Sequence, residues 1–181
     1  MNMYRCVLIV GLLAGFATAA EPVASGVPVG QKPGPYSFLV ATGPDRGKPT
    51  CYICEQGDKP TAVVFVRSLS PAAGKLAVAL DAAMAARSTG GFKAWLTLVT
   101  ETADLDGLAK WAAGQGLKSV AVGAFEDADG PPAYKIAADA DVTVILFAQK
   151  KVVANFAFSA GELTEAKVKE IVKALPVAVA K

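Results

Sequence analysis

The sequence contains no histidine, and this absence excludes several kinds of chemistry. Without an imidazole there is no Ser-His-Asp or Cys-His pair, and no imidazole ligand for zinc, copper or haem iron. The residue after Cys54 is Glu55, so Cys51-x-x-Cys54 is not a haem-attachment motif, which needs histidine there. Any chemistry must therefore use thiols, carboxylates, amines, hydroxyls or a borrowed cofactor, and we assign no cofactor-binding and no metal-binding residues at this point.

The chain also has few cysteines and a small net charge. The 181 residues include three cysteines and carry a formal charge of +2, an excess too small to predict binding to nucleic acid or to acidic lipid. Apolar residues make up 53% of the chain, which is typical of a globular protein with a real core. Only Cys51 and Cys54 lie beyond the first 20 residues, so the chain is not a disulfide-rich scaffold.

Residues 1–20 have the layout of a secretory signal peptide. Arg5 gives a positive start, residues 6–16 are an apolar run, and residues 17–20 are small. The run is short for a membrane span, although an uncleaved anchor is the alternative. We expect cleavage after residue 19 or 20, export to the periplasm or the extracellular space, and no membrane attachment afterwards. Residues 21–35, rich in Pro and Gly, predict a flexible leader.

The remainder, residues 36–176, predicts one α/β domain. Continuous apolar runs predict strands buried on both faces, and apolar residues at helical spacing predict helices. The predicted strands are 36–40, 50–53, 62–66, 94–99, 119–122, 142–147 and 152–158, and the predicted helices are 70–86, 104–113, 134–138 and 163–175. Strands that alternate with helices imply right-handed parallel crossovers, with the last two strands as an antiparallel edge. The expected architecture is a central mixed sheet with helices on both faces and an N-terminal β-hairpin.

This order of elements resembles the thioredoxin-like fold, in the extended form shared by peroxiredoxins and periplasmic thiol–disulfide oxidoreductases. The resemblance covers roughly residues 36–175 and rests on the order of elements. The hairpin and buried strand in residues 36–66 and the helix and late strand in residues 133–147 carry it. It implies a Cys-x-x-Cys after the buried strand, where this chain has Ser70-Pro71-Ala72-Ala73. It also implies a cis-proline before the late strand, where this chain has Val142. Because a serine hydroxyl cannot perform disulfide exchange, the resemblance predicts a degenerate standard site.

The displaced pair Cys51 and Cys54 is the main candidate site. In a regular strand, residues three apart lie roughly 10 Å apart, whereas a disulfide needs Cα atoms within about 7 Å. The two cysteines can therefore pair only if residues 51–54 form a turn. Three hypotheses remain open: a structural disulfide in a non-catalytic binding module, a redox pair that exchanges with a protein thiol or disulfide partner, and a Cu(I)-binding thiol pair.

The sequence around the pair predicts little activation of its thiols. Thioredoxin-like thiols are acidified by a helix N-terminus, but Cys51 and Cys54 are expected to precede a strand. Glu55 adjoins one of them, and Lys48 and Lys59 offset its charge only in part. We also expect the pair to lie at the opposite end of the sheet from residue 70.

The sequence also predicts roles for two residues that follow the buried strand, Ser70 and Arg67. Ser70 before Pro71 is typical of a helix cap. Arg67 follows the carboxyl end of the strand, a position that lines ligand crevices in α/β sheets, although a solvated arginine is the simpler interpretation.

Overall fold

The computed structural model describes residues 23–176. The predicted signal peptide, including Cys6, lies outside the described residues and stays a prediction. Within the described part of the chain, no helix has the length and apolar character needed to cross a membrane.

Seven strands and four α-helices form the domain. The strands are β1 Phe38–Val40, β2 Pro49–Thr50, β3 Thr61–Val66, β4 Lys93–Thr100, β5 Ala121–Glu126, β6 Val142–Ala148 and β7 Lys151–Phe158. The helices are α1 Tyr52–Gln56, α2 Pro71–Ala86, α3 Leu105–Gly114 and α4 Glu165–Ala174. Short 3₁₀ turns occur at Ser88–Gly90 and Pro132–Tyr134. The expected helix over 134–138 is wrong, because the 3₁₀ turn at Pro132–Tyr134 ends at Lys135, whose φ of +52° is left-handed and cannot continue a right-handed helix.

All seven strands belong to one mixed sheet in the order β2-β1-β5-β4-β3-β6-β7. Strands β3, β4 and β5 are parallel, whereas β6 runs antiparallel to β3 and β7 antiparallel to β6. The β1–β2 hairpin joins the far edge, where β1 is antiparallel to β5. The expected parallel crossovers and antiparallel edge are confirmed.

Strand β3 alternates between two hydrophobic cores. Ala62, Val64 and Val66 face a core that includes buried residues of α2, α3 and α4. Val63 and Phe65 face a second core, which is largely aromatic. The long helices thus share one face of the sheet, not both as expected. Because β5 leads to β6 through only a 3₁₀ turn, the other face is covered by α1, the chain around that turn, and the N-terminal segment.

That N-terminal segment, residues 23–35, contacts the sheet, although the sequence predicts a flexible leader there. Val27 is buried, and the Ser25 hydroxyl lies 2.7 Å from Thr143 Oγ1. The backbone N–H of Gly30 donates to the Val152 carbonyl, and the Val152 N–H donates to Gln31. The Pro- and Gly-rich composition of the segment predicts flexibility, but the structure holds it against β6 and β7 through these long-range hydrogen bonds.

Candidate functional site

The cysteine pair lies at the start of a short helix, not on a returning strand. Strand β2 ends at Thr50, and α1 begins at Tyr52 with Cys51 as the residue before it. The backbone N–H groups of Cys54 and Glu55 both donate to the Cys51 carbonyl, at 3.1 and 3.3 Å. This turn brings the Cys51 and Cys54 Cα atoms to 5.4 Å, and their sulfurs form a disulfide. The expected strand over 50–53 is therefore wrong, because pairing of the two cysteines requires the turn.

Helix α1 is attached to the domain through one face. Tyr52 and Gln56, one helical turn apart, are the buried residues of the helix. The Gln56 side-chain amide donates to the Gly91 carbonyl at 3.1 Å, which joins the helix to the loop before β4. Gly57, with a φ of +58°, ends the helix in a conformation that glycine adopts at little cost. The two cysteines are thus presented by an anchored turn and not by a free loop.

Tyr52 provides most of that attachment. Its ring packs edge-on against Phe38 and Trp95, with centroids 5.5 and 5.7 Å away. Its hydroxyl donates to Asp45 Oδ2 at 3.1 Å. Burial and the hydrogen bond to this carboxylate raise the pKa of Tyr52 to about 12. The phenol therefore stays protonated near neutral pH and keeps donating to Asp45.

Tyr52 packs against a buried aromatic cluster that includes Trp95, Tyr36 and Tyr134. The Trp95 indole N–H donates to the Tyr36 hydroxyl at 2.6 Å, and the same hydroxyl lies 3.0 Å from Thr97 Oγ1. The Tyr134 hydroxyl donates to the Gly34 carbonyl at 2.9 Å. Burial raises the pKa of both Tyr36 and Tyr134 well above the usual range of a phenol. Both hydroxyls are therefore neutral near pH 7 and make structural hydrogen bonds.

The two cysteines differ in exposure. Cys54 is an exposed residue, whereas Cys51 is half-buried. Cys54 also lines a cavity of about 210 Å³, to which Cys51 does not contribute. Cys54 is therefore the more accessible of the two residues.

The cavity beside Cys54 has apolar walls and a basic lining. Its apolar residues are Pro33, Pro35, Ile53 and Phe147, and its charged residues are Lys32, Lys59 and Lys150. The lysines are all exposed, and no acidic residue lines the cavity. Lys150 lies 3.3 Å from Asp58, so one of the three charges is partly offset.

Glu55 faces a different cavity. It lines a space of about 320 Å³ together with Tyr52, Asp45, Lys93 and Lys118. The carboxylate that the sequence places next to Cys54 is therefore on the other side of α1 from the basic cavity. Of the two lysines expected to offset that charge, Lys59 lines the Cys54 cavity and Lys48 does not.

Ser70, which follows β3 in the chain, lies at the end of the sheet opposite to the Cys51–Cys54 disulfide. Thr61, the first residue of β3, lines the Cys54 cavity, whereas Ser70 follows the last residue of the strand. The strand is six residues long, so its ends lie roughly 17 Å apart at the rise of a β-strand. Ser70 is the cap of α2, where its Oγ accepts from the Ala73 N–H at 3.2 Å. The expected helix cap is confirmed, and the thiol pair does not lie near it.

Val142 belongs to the Ser70 end as well. It pairs with Val66, the last residue of β3, whereas Phe147 pairs with Thr61 beside the disulfide. All peptide bonds are trans within residues 23–176. The loop before β6 is thus trans, as expected from the cost of a non-proline cis bond.

Arg67 is a structural residue. Its guanidinium donates to the backbone carbonyl of Ala128 at 2.5 Å and to that of Ala137 at 3.1 Å. These bonds tie the loop after β5 to the segment that leads into β6. Loop carbonyls thus take up donors of the Arg67 guanidinium, which gives this half-buried residue a structural role.

Several residues of the site carry no signal in the sequence. Lys32, Lys59 and Lys150 are far apart along the chain, and only the topology brings them around Cys54. Ile53 and Phe147 are indistinguishable from ordinary core residues in the sequence. Among the described residues, no group of three or more Asp, Glu or Cys side chains is arranged to hold a metal ion.

Comparisons with known proteins agree on the fold. No protein-family model and no curated protein matches the chain. A Chlorobium tepidum structure assigned as a thiol:disulfide interchange protein DsbE aligns with a TM-score of 0.61 and 16% identity, over 83% of this chain and 99% of that one. A Bacteroides thetaiotaomicron structure assigned as a protein disulfide isomerase aligns with a TM-score of 0.61 and 17% identity, over 84% of this chain and 94% of that one. A peroxiredoxin-like protein from Aquifex aeolicus aligns with a TM-score of 0.54 and 14% identity, over 84% of this chain and 90% of that one.

These similarities, together with the mixed sheet and its flanking helices, show a thioredoxin-like fold. At such low identity they show the fold alone, so function has to be argued from the residues of this chain.

Proposed function

We propose that this protein is an atypical thiol–disulfide exchange protein that acts through Cys51 and Cys54 in an exported, oxidising setting. The observation that carries the proposal is the disulfide at the start of α1, with exposed Cys54 beside an open cavity. Exposed disulfides tend to have higher reduction potentials than inert structural ones, and they exchange more readily. The structures that share the fold include proteins named for thiol:disulfide interchange and disulfide isomerisation, which supports the same chemistry.

The exchange step is a pair of thiolate displacements. A thiolate of a reduced protein partner attacks Cys54 Sγ, which forms a partner–Cys54 disulfide and breaks the Cys51–Cys54 bond. The electron pair goes to Cys51 Sγ, which takes up a proton. A second partner thiolate then attacks the partner sulfur of the mixed disulfide, and Cys54 leaves as a thiolate. The partner dithiol is oxidised by two electrons, and the Cys51–Cys54 disulfide is reduced; the reverse sequence reduces a partner disulfide.

The standard site of the fold is degenerate in this proposal. Ser70 and Ala73 occupy the position after β3, and the Ser70 hydroxyl is engaged in capping α2. With no sulfur at these positions, disulfide exchange there is chemically excluded. Activity, if it resides in this chain, must come from the opposite end of β3.

Reduction of insulin by dithiothreitol tests the proposal. The wild-type protein should accelerate insulin precipitation, and Cys51→Ser should abolish the acceleration completely. Ser70→Ala is the matched control; it removes the cap but no sulfur and should retain the wild-type rate. Equal and negligible rates for wild type and Cys51→Ser would refute exchange activity.

Export is the second part of the proposal, supported by the charge and apolar pattern of residues 1–20. The intact mass of the protein recovered from producing cells tests it. A chain that begins at Ala20 or Glu21 supports cleavage, whereas a chain that still begins at Met1 contradicts it.

A non-catalytic binding module with a structural disulfide is the second candidate. The close attachment of α1 through Tyr52 and Gln56 favours it, because a disulfide can hold this turn in the shape that the core requires. The insulin assay separates the two candidates. The Cu(I) hypothesis needs both thiols reduced and has no further cysteine ligand among the described residues. Copper analysis of the reduced protein tests it, and a stoichiometry near zero would end it.

A further inference from the structure

We infer that the cavity beside Cys54 selects a peptide segment whose cysteine is flanked by acidic residues. This inference deepens the proposed function by naming a substrate class, and it rests on that function. It is carried by the chemistry of the cavity lining: three exposed lysines, no acidic residue, and apolar walls directly beside the accessible sulfur.

Charge complementarity identifies the flanking residues of the ligand. Lys32, Lys59 and Lys150 come from three separate segments and lie around one opening. Asp58 contacts Lys150, so the three lysines and this carboxylate together carry a formal charge of +2. Glu55 lines the cavity on the other side of α1 and does not line this one. A carboxylate on either side of the partner's cysteine therefore meets lysine ammonium groups.

Size and polarity favour a peptide segment over a free small molecule. Small-molecule sites usually enclose about 300–1,000 Å³, whereas this cavity has about 210 Å³. That volume suits one or two side chains of a longer segment. Half-buried Ile53 and the prolines Pro33 and Pro35 offer an apolar surface in the same cavity as Cys54, on which an aliphatic residue beside the partner's cysteine can pack.

Binding can be measured without exchange by using peptides that carry serine in place of cysteine. The probes are fluorescent Glu-Leu-Ser-Glu and Gln-Leu-Ser-Gln, with both termini blocked, titrated with the oxidised full chain. We expect the acidic peptide to bind at least about threefold more tightly at low ionic strength, as expected for a few screened surface ion pairs. The difference should disappear at high salt, where the Debye length falls to about 3 Å.

Two triple variants locate the effect. Lys32→Gln/Lys59→Gln/Lys150→Gln should lower the affinity for the acidic peptide to that for the neutral one. Lys110→Gln/Lys169→Gln/Lys173→Gln removes the same net charge from exposed positions of α3 and α4, and should keep the preference. Equal affinities of the wild-type protein for both peptides, or an equal loss in both variants, would overturn the inference.

The cysteine forms of the same peptides separate this inference from the proposed function. Each is used as its disulfide-linked homodimer against the reduced protein, and the second-order exchange rate is measured. Faster reaction with the acidic form supports both ideas. Exchange at equal rates supports the function and overturns the selectivity. No exchange with either peptide refutes the function, and the serine-peptide affinities still decide whether the cavity prefers acidic segments.

Discussion

Cys51→Ser should turn the reduced protein into a trap that forms a stable mixed disulfide through Cys54. The exposed Cys54 thiolate attacks a partner disulfide, and the reaction stops there because no second thiol remains to resolve the product. Cys54→Ser should trap the same partner several-fold more slowly, since the half-buried Cys51 is harder to reach. Catalytic turnover should be lost in both variants. Intact mass spectrometry after brief reaction with a peptide disulfide measures the trapped fraction.

An opposing effect makes this prediction informative. Cys51 is next to the N-terminal end of α1, where a helix lowers a thiol pKa and favours the thiolate. Helix α1 has only five residues, so its dipole is small, and we expect access to outweigh it. The double variant Cys51→Ser/Cys54→Ser is the control and should trap nothing. Faster trapping by Cys54→Ser than by Cys51→Ser would reverse the assigned roles of the two sulfurs.

Tyr52→Ala should have the largest effect on stability among substitutions near the site. The ring is 9% exposed and fills the space between Phe38 and Trp95, so its removal leaves a cavity under α1. Replacing a buried aromatic residue by alanine costs about 3–5 kcal/mol, and we expect the lower end because Tyr52 lies near the surface. Urea unfolding of the oxidised protein measures this loss.

Tyr52→Phe separates packing from hydrogen bonding. It keeps the ring and removes only the bond from the hydroxyl to Asp45, which should cost about 1 kcal/mol. If Tyr52→Ala destabilises the protein no more than Tyr52→Phe, the ring does not anchor α1 and the described packing of the disulfide helix is wrong.

The long elements of the fold are predictable from the sequence because their patterns are strong. The apolar run of β3 and the Ser70-Pro71 start of α2 identify both elements, and β6 and β7 follow from their hydrophobic runs. The mixed sheet and its parallel crossovers follow from the order of these elements. Strong local patterns and tertiary structure agree at these places.

Helix α1 is not predictable in the same way. Thr50, Tyr52 and Ile53 have high strand propensity, which favours the wrong element. The turn forms because the disulfide needs close Cα atoms and because Tyr52 and Gln56 find buried partners in distant segments. A five-residue helix is marginal by itself, so tertiary contacts decide its existence.

The residues that surround Cys54 cannot be predicted from the sequence for a related reason. Lys32 belongs to the segment whose Pro- and Gly-rich composition predicts flexibility, yet hydrogen bonds to Val152 order that segment beside the disulfide. Lys150 follows β6 at a turn and reaches the same cavity only through the strand order. Sequence reasoning finds the two sulfurs, their need for a turn, and their distance from Ser70, but not the surface that surrounds them.

The reduction potential of the Cys51–Cys54 disulfide tests the central claim most directly. The pair is equilibrated in buffers of oxidised and reduced dithiothreitol, and its free thiols are counted by alkylation and mass spectrometry. A working exchange site should have a potential above about −300 mV, as labile disulfides do. A potential well below about −300 mV would mark an inert structural bond and contradict the account.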